Sequence, residues 1–91
     1  MLIVAHHFVE KMEFWAKAKE LTDSLPSELK VLSILPSKDM KTGTCIWEAP
    51  DVSSLQTFLD DNSKGLVKNV CYEVEESMAM GLPEHSMEAA L

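Results

Sequence analysis

The spacing of apolar residues changes period along this chain, and the order of the changes restricts its fold more than any other feature. A half-buried strand hides every second side chain, whereas a helix hides every third or fourth. "LIVAHHF" (2–8) is an apolar, branched run that reads as a strand. From about Glu10 to Leu25 the period turns helical, with Phe14, Ala18, Leu21 and Leu25 on one stripe. Met12 and Trp15 flank that stripe, Glu13, Lys17 and Glu20 take the wet side, and Pro26 ends the helix. "ELKVLSILPS" (28–37) and "TCIWEA" (44–49) read as strands joined by the polar hairpin turn "KDMKTG" (38–43). "PDVSSLQTFLDDNSKG" (50–65) gives a second helix, with Asp51 or Ser53 at its start, capping-box spacing between Ser53 and Gln56, and Gly65 as a left-handed stop. Val52, Leu55, Phe58 and Leu59 form its buried stripe. "LVKNVCYEVEE" (66–76) alternates as a fourth strand.

The resulting order, βαββαβ, predicts a ferredoxin-like α+β sandwich. Two helices cover one face of a four-stranded antiparallel sheet of strand order 4-1-3-2. The histidine-bearing first strand then lies in the middle. Residues 1–76 form the domain, and residues 77–91 form a C-terminal tail, expected as a short helix or a disordered end.

A chain of 91 residues builds only a modest core, and two Trp with six Met add apolar surface, so a homodimer is expected. The formal charge is −7, with scattered Lys and no Arg, which argues against nucleic acid and anionic membrane as partners. No apolar run is long enough to span a bilayer, and "MLIV" is too short for a signal-peptide core. A cytoplasmic location follows as an expectation, with Cys45 and Cys71 as free thiols.

"CIWEAPDVSSL" (45–55) and "GLVKNVCYEVE" (65–75) resemble a family of small ferredoxin-like proteins of uncharacterised function, some described as nickel-binding. More broadly, the chain is similar to the dimeric α/β-barrel superfamily. The local pattern is Cys45, Ile46, Trp47, Glu48, Ala49 and Pro50 leading into a helix, and the element order matches from residue 2 to about 75. The chain departs from the pattern at Ala5, where an acidic residue is often found. The resemblance implies two sheets back to back around a cavity, and nickel as a ligand.

Face assignment then selects candidate site residues. Leu2, Val4, Ile46, Val70, Tyr72 and Val74 make one helix-facing set. The opposite set is Ile3, Ala5, His7, Cys45, Trp47, Asn69, Cys71 and Glu73. Its mixture of apolar and polar groups suits a pocket on the open sheet face, lined by His7, Trp47, Asn69, Cys71 and Glu73. A slip of one residue exchanges His7 for His6. One imidazole flanked by two thiolates, His7 with Cys45 and Cys71, is a ligand set for zinc, nickel or copper. With no CxxC or HxxxH spacing, the competing reading is that both cysteines are inert core residues.

Three functions follow. The first is a homodimeric binding protein that holds a small ligand or a transition metal such as nickel. The second is a cofactor-independent monooxygenase-like or isomerase-like enzyme with His7 as general base. The third is a structural or protein-interaction dimer.

Overall fold

The computed structural model describes residues 1–83. The elements run β1 (Leu2–Val9), α1 (Glu13–Asp23), β2 (Lys30–Pro36), β3 (Thr42–Glu48), α2 (Val52–Asn62) and β4 (Val67–Glu73). All strand pairs are antiparallel and the sheet order is β2-β3-β1-β4, the predicted order read from the other edge. β1 is therefore central, flanked by β3 and β4. No helix among the described residues is long and apolar enough to cross a membrane. Residues 77–83 contain no helix, and the rest of the tail, 84–91, lies outside the described residues.

The register fixes which side chains share a face. Ala5 lies opposite both Cys45 and Cys71, while His7 lies opposite Gly43 and Asn69. These residues share one side with Ile3 and Trp47, as expected, but the side is inverted: it faces the helices. Ile3, Ala5, Cys45 and Trp47 belong to the main core cluster with Leu29, Ala49, Leu55 and Leu59. Of the set expected beneath the helices, only Leu2 is fully buried, whereas Val4 and Ile46 are half-buried and Val70 and Tyr72 are exposed. The inversion has a physical reason. Both sets are rich in apolar residues, and His7, Asn69 and Cys45 of the buried set hydrogen-bond in series, so their polarity does not force them into water.

β2 serves both faces through an irregularity. Val31 opposes Trp47, but the register shifts before Ser33, which opposes Ile46. The shift returns Ile34 to the helix side, opposite Cys45, and leaves Leu35 on the open side, opposite Thr44.

Each helix is seated differently. Asp51 caps α2, its carboxylate accepting from the Ser54 backbone N–H at 2.7 Å. Gln56 does not close the expected capping box. Instead its side-chain amide reaches β4, donating to the Asn69 carbonyl at 2.8 Å and accepting from the Cys71 N–H at 3.0 Å. Gly65 adopts the left-handed conformation (φ +79°) that turns the chain from α2 into β4. α1 has no side-chain cap and only one fully buried residue, Phe14. Its first turn is held by two aromatic anchors. The Phe14 ring lies 5.3 Å from the His7 ring, and Trp15 donates its indole N–H to the Met40 carbonyl at 2.8 Å.

Trp15 explains Gly43. A Cβ at Gly43 would stand 2.7 Å from Trp15 Cη2, inside any tolerable contact. The indole cannot easily give way, because its N–H is bonded to the hairpin and its ring meets Phe14 edge-on at 5.0 Å. Gly43→Ala is expected to destabilise the fold by about 1–3 kcal/mol through overpacking. Urea unfolding checks this, and Trp15→Leu in the same chain should return part of the loss.

Candidate functional site

The polar residues of the buried face form a directed chain of hydrogen bonds across four elements. Asn69 on β4 is oriented first. Its Nδ2 donates to Asp60 Oδ1 at 3.1 Å and to Ser63 Oγ at 3.2 Å, while Ser63 donates onward to the Leu59 carbonyl. Asn69 Oδ1 is thereby left as an acceptor, 2.7 Å from His7 Nδ1. His7 must carry its proton on Nδ1, which leaves Nε2 as an acceptor for the Cys45 thiol at 3.2 Å. A buried thiol thus leads through an imidazole and an amide to the exposed carboxylate of Asp60.

Burial sets the charge states. It lowers the pKa of His7 against the raising effect of Asn69, and His6 adds a smaller lowering. Burial also pushes the Cys45 thiol up to about 12, with Cys71 contributing. The Cys71 thiol is raised to about 11, by burial first and the Asp60 charge second. The Cys45–His7 pair is therefore neutral at pH 7, a thiol donating to an imidazole.

Beside the pair lies a cavity between α1 and the sheet. Its interior is about 30 Å³, and the void measures about 420 Å³ when counted out through its opening to solvent. His7, Cys45, Trp47 and Ser63 contribute to its wall, with Phe14, Ala18 and Leu21 from α1. Trp47 is 3% exposed, and its indole N–H is the one buried side-chain polar group among the described residues without a partner.

The structure brings together part of the expected site. His7 and Trp47 line the cavity, joined by Cys45, and Asn69 stands behind His7 as its hydrogen-bond acceptor. Cys71 and Glu73 are absent from the cavity wall, and Glu73 is exposed. The pocket expected on the open sheet face is therefore corrected to the opposite side, beneath α1. His6 is the histidine that faces away. It is half-buried, with Nδ1 3.2 Å from Thr44 Oγ1 and its ring 5.6 Å from that of Tyr72.

The expected metal set of His7, Cys45 and Cys71 does not fit an ion. Among the described residues, no group of three or more His, Cys, Asp or Glu side chains is placed to hold one. Both ring nitrogens of His7 are already engaged, by Asn69 and by Cys45. Both cysteines are free thiols. The nickel implied by the family resemblance has no ligand set in this arrangement.

Gln56, Asp60 and Ser63 were outside the sequence-derived site. Their signal is a polar stripe at spacings of four and three along α2, beside the apolar Leu55 and Leu59. Comparison with protein-family models, with curated proteins and with solved structures finds no match. The functional argument therefore rests on geometry.

The neutral pair predicts a stability plateau in pH. An unfolded imidazole binds its proton near pH 6.5, whereas folded His7 resists it to lower pH. Between those values the unfolded state holds the extra proton, so stability falls as pH drops below about 6.5. Unfolded thiols ionise near 9, whereas folded Cys45 and Cys71 keep their protons to about 12 and 11. Stability is therefore lost again as pH rises above about 9. Chemical denaturation across pH should show a plateau between these limits, with a limb on either side of up to about 1.4 kcal/mol per pH unit for each titrating proton. His7→Gln should flatten the acid limb where it begins, just below about pH 6.5, and leave the alkaline limb in place.

Proposed function

We propose that the chain is a small-molecule-binding protein whose site is the cavity between α1 and the sheet. The observation that carries this reading is the indole N–H of Trp47, a buried donor without a partner on a residue of the cavity wall. An unmet buried donor costs about 1–3 kcal/mol, and a ligand acceptor would recover that loss. The remaining wall is apolar apart from His7, Thr22, Cys45 and Ser63, the composition of a pocket that takes a compact, largely apolar molecule bearing one carbonyl or similar acceptor. The interior of about 30 Å³ restricts that molecule to a few heavy atoms, extending toward the opening.

Propionamide is a suitable probe. Titrated into ¹⁵N-labelled protein, it should move the Trp47 indole N–H resonance downfield and the His7 signals with it, while the Trp15 indole, bonded to Met40, stays in place. Unmoved Trp47 and His7 resonances at millimolar propionamide would count against the cavity as a carbonyl site.

A homodimer is part of the same proposal, supported by the side of the sheet that carries no helix. Phe8, Leu35, Val70 and Tyr72 lie there 49%, 56%, 41% and 48% exposed. A second copy of the same sheet face would cover them in an isologous pair, as the resemblance to dimeric α/β barrels implies. Sedimentation equilibrium should give twice the 10.2 kDa chain mass, and Tyr72→Glu should return the monomer with its helices intact. A wild-type monomer at all concentrations would remove the dimer from this reading.

A second reading, cofactor-independent catalysis with His7 as general base, is favoured by the Nε2 lone pair that the Asn69 contact leaves facing Cys45.

A further inference from the structure

We propose that Cys45 is a nucleophile, with His7 as its general base and Asn69 as a positioning residue, and that it adds to small α,β-unsaturated carbonyl compounds entering the cavity beneath α1. The proposal rests on the reading of that cavity as a ligand site and assigns it a substrate class.

An activated nucleophile is recognised by a base within hydrogen-bond reach and a third group that orients the base. All three are present. Cys45 Sγ lies 3.2 Å from His7 Nε2, and His7 Nδ1 lies 2.7 Å from Asn69 Oδ1. Asn69 cannot turn to offer its amide nitrogen instead, because Asp60 and Ser63 both accept from that nitrogen. The imidazole is therefore held in the tautomer whose lone pair meets the thiol. Phe14 covers its ring at 5.3 Å. Three elements, β1, β3 and β4, supply the trio, and α2 fixes its far end.

The cavity supplies the electrophile's place. Cys45 and His7 both form its wall, as does Trp47, two residues beyond Cys45 on the same side of β3 and about 7 Å along the strand. The indole N–H of Trp47, unpartnered and closed off from solvent, is the donor assigned to the carbonyl oxygen, on which negative charge collects as the thiol adds.

The step balances without an outside reagent. As the bond forms between Sγ and the β-carbon, the thiol proton passes to His7 Nε2. The π pair of the C=C bond moves to give an enolate, with charge on the carbonyl oxygen. The imidazolium then returns the proton to the α-carbon. The net change is addition of S–H across the double bond, with no oxidant, reductant or leaving group. Because burial holds the thiol neutral at rest, loss of its proton accompanies bond formation rather than preceding it. A soft electrophile that reacts by addition suits such a centre.

Cys71 is the internal control. It lies opposite Ala5 on the same side of the sheet and is less buried than Cys45, yet its thiol has no histidine partner among the described residues and is absent from the cavity wall. Exposure alone would make it the faster thiol.

The test incubates the full chain with acrylamide near neutral pH and follows adducts by intact mass and peptide mapping. The expected result is addition at Cys45 at least about tenfold faster than at Cys71, slowed about a hundredfold by His7→Gln. Added imidazole should restore part of the rate to His7→Ala, which a packing role for His7 would not allow. Asn69→Ala should slow addition and change the imidazole ¹⁵N shifts that report the Nδ1–H tautomer. Labelling of Cys71 first, or labelling of Cys45 only at the rate of global unfolding, overturns the proposal. That comparison uses the wild-type chain alone, so it stands even where a His7 variant fails to fold. Propionamide separates the two readings, since it has the shape of acrylamide without the reactive double bond. If propionamide moves the Trp47 resonance while acrylamide leaves Cys45 unmodified, the binding site stands and the nucleophile falls. If propionamide moves nothing and acrylamide still labels Cys45 first, the nucleophile stands without the carbonyl site.

Discussion

The hydrogen bond between His7 and Asn69 is the constraint on which the rest of the interior depends. It joins the central strand to an edge strand through side chains, beneath a helix layer that would otherwise require apolar groups at both positions. A histidine and an asparagine at these depths are tolerable only because each partner fills the other's requirement and α2 completes the asparagine. Removing either member would leave a buried polar group unmet, which costs more than the bond itself is worth. The same bond decides which imidazole nitrogen meets Cys45, so a packing requirement and a chemical one are met by a single contact.

The two helices divide the work unequally. α2 is capped by Asp51, contributes Leu55 and Leu59 to the core, and tethers β4 through Gln56 and Asp60. α1 is held at its first turn by Phe14 and Trp15, and the cavity wall runs from these two on through Ala18, Leu21 and Thr22. The void thus lies directly between α1 and the sheet, and it is bordered by the Cys45–His7 pair as well as by hydrocarbon.

The architecture was legible in the sequence because it depends on period, which survives without knowledge of partners. The strand order and the position of β1 followed from spacing, and the cap at Asp51 is one of the two residues the sequence offered for it. The grouping of His7, Cys45, Trp47, Asn69 and Cys71 on one side was also legible, since the pleat fixes parity once strands pair. Which side that was could not be read from parity. Val4, Ile46 and Val70 are as apolar as Ile3 and Ala5, and His7 and Asn69 counted against burial until Asp60 and Ser63 were found beneath them. β2 was opaque for a different reason: the shift between Val31 and Ser33 breaks the alternation on which a strand reading relies.

Gln56 has a consequence beyond anchoring α2. A strand at the margin of a sheet offers unpaired main-chain donors and acceptors to any extended segment that approaches, and that is the usual seed of fibril growth. By occupying the Asn69 carbonyl and the Cys71 N–H, one side-chain amide takes the place an incoming chain would need. The molecule is thereby blunted against edge-to-edge polymerisation along β4.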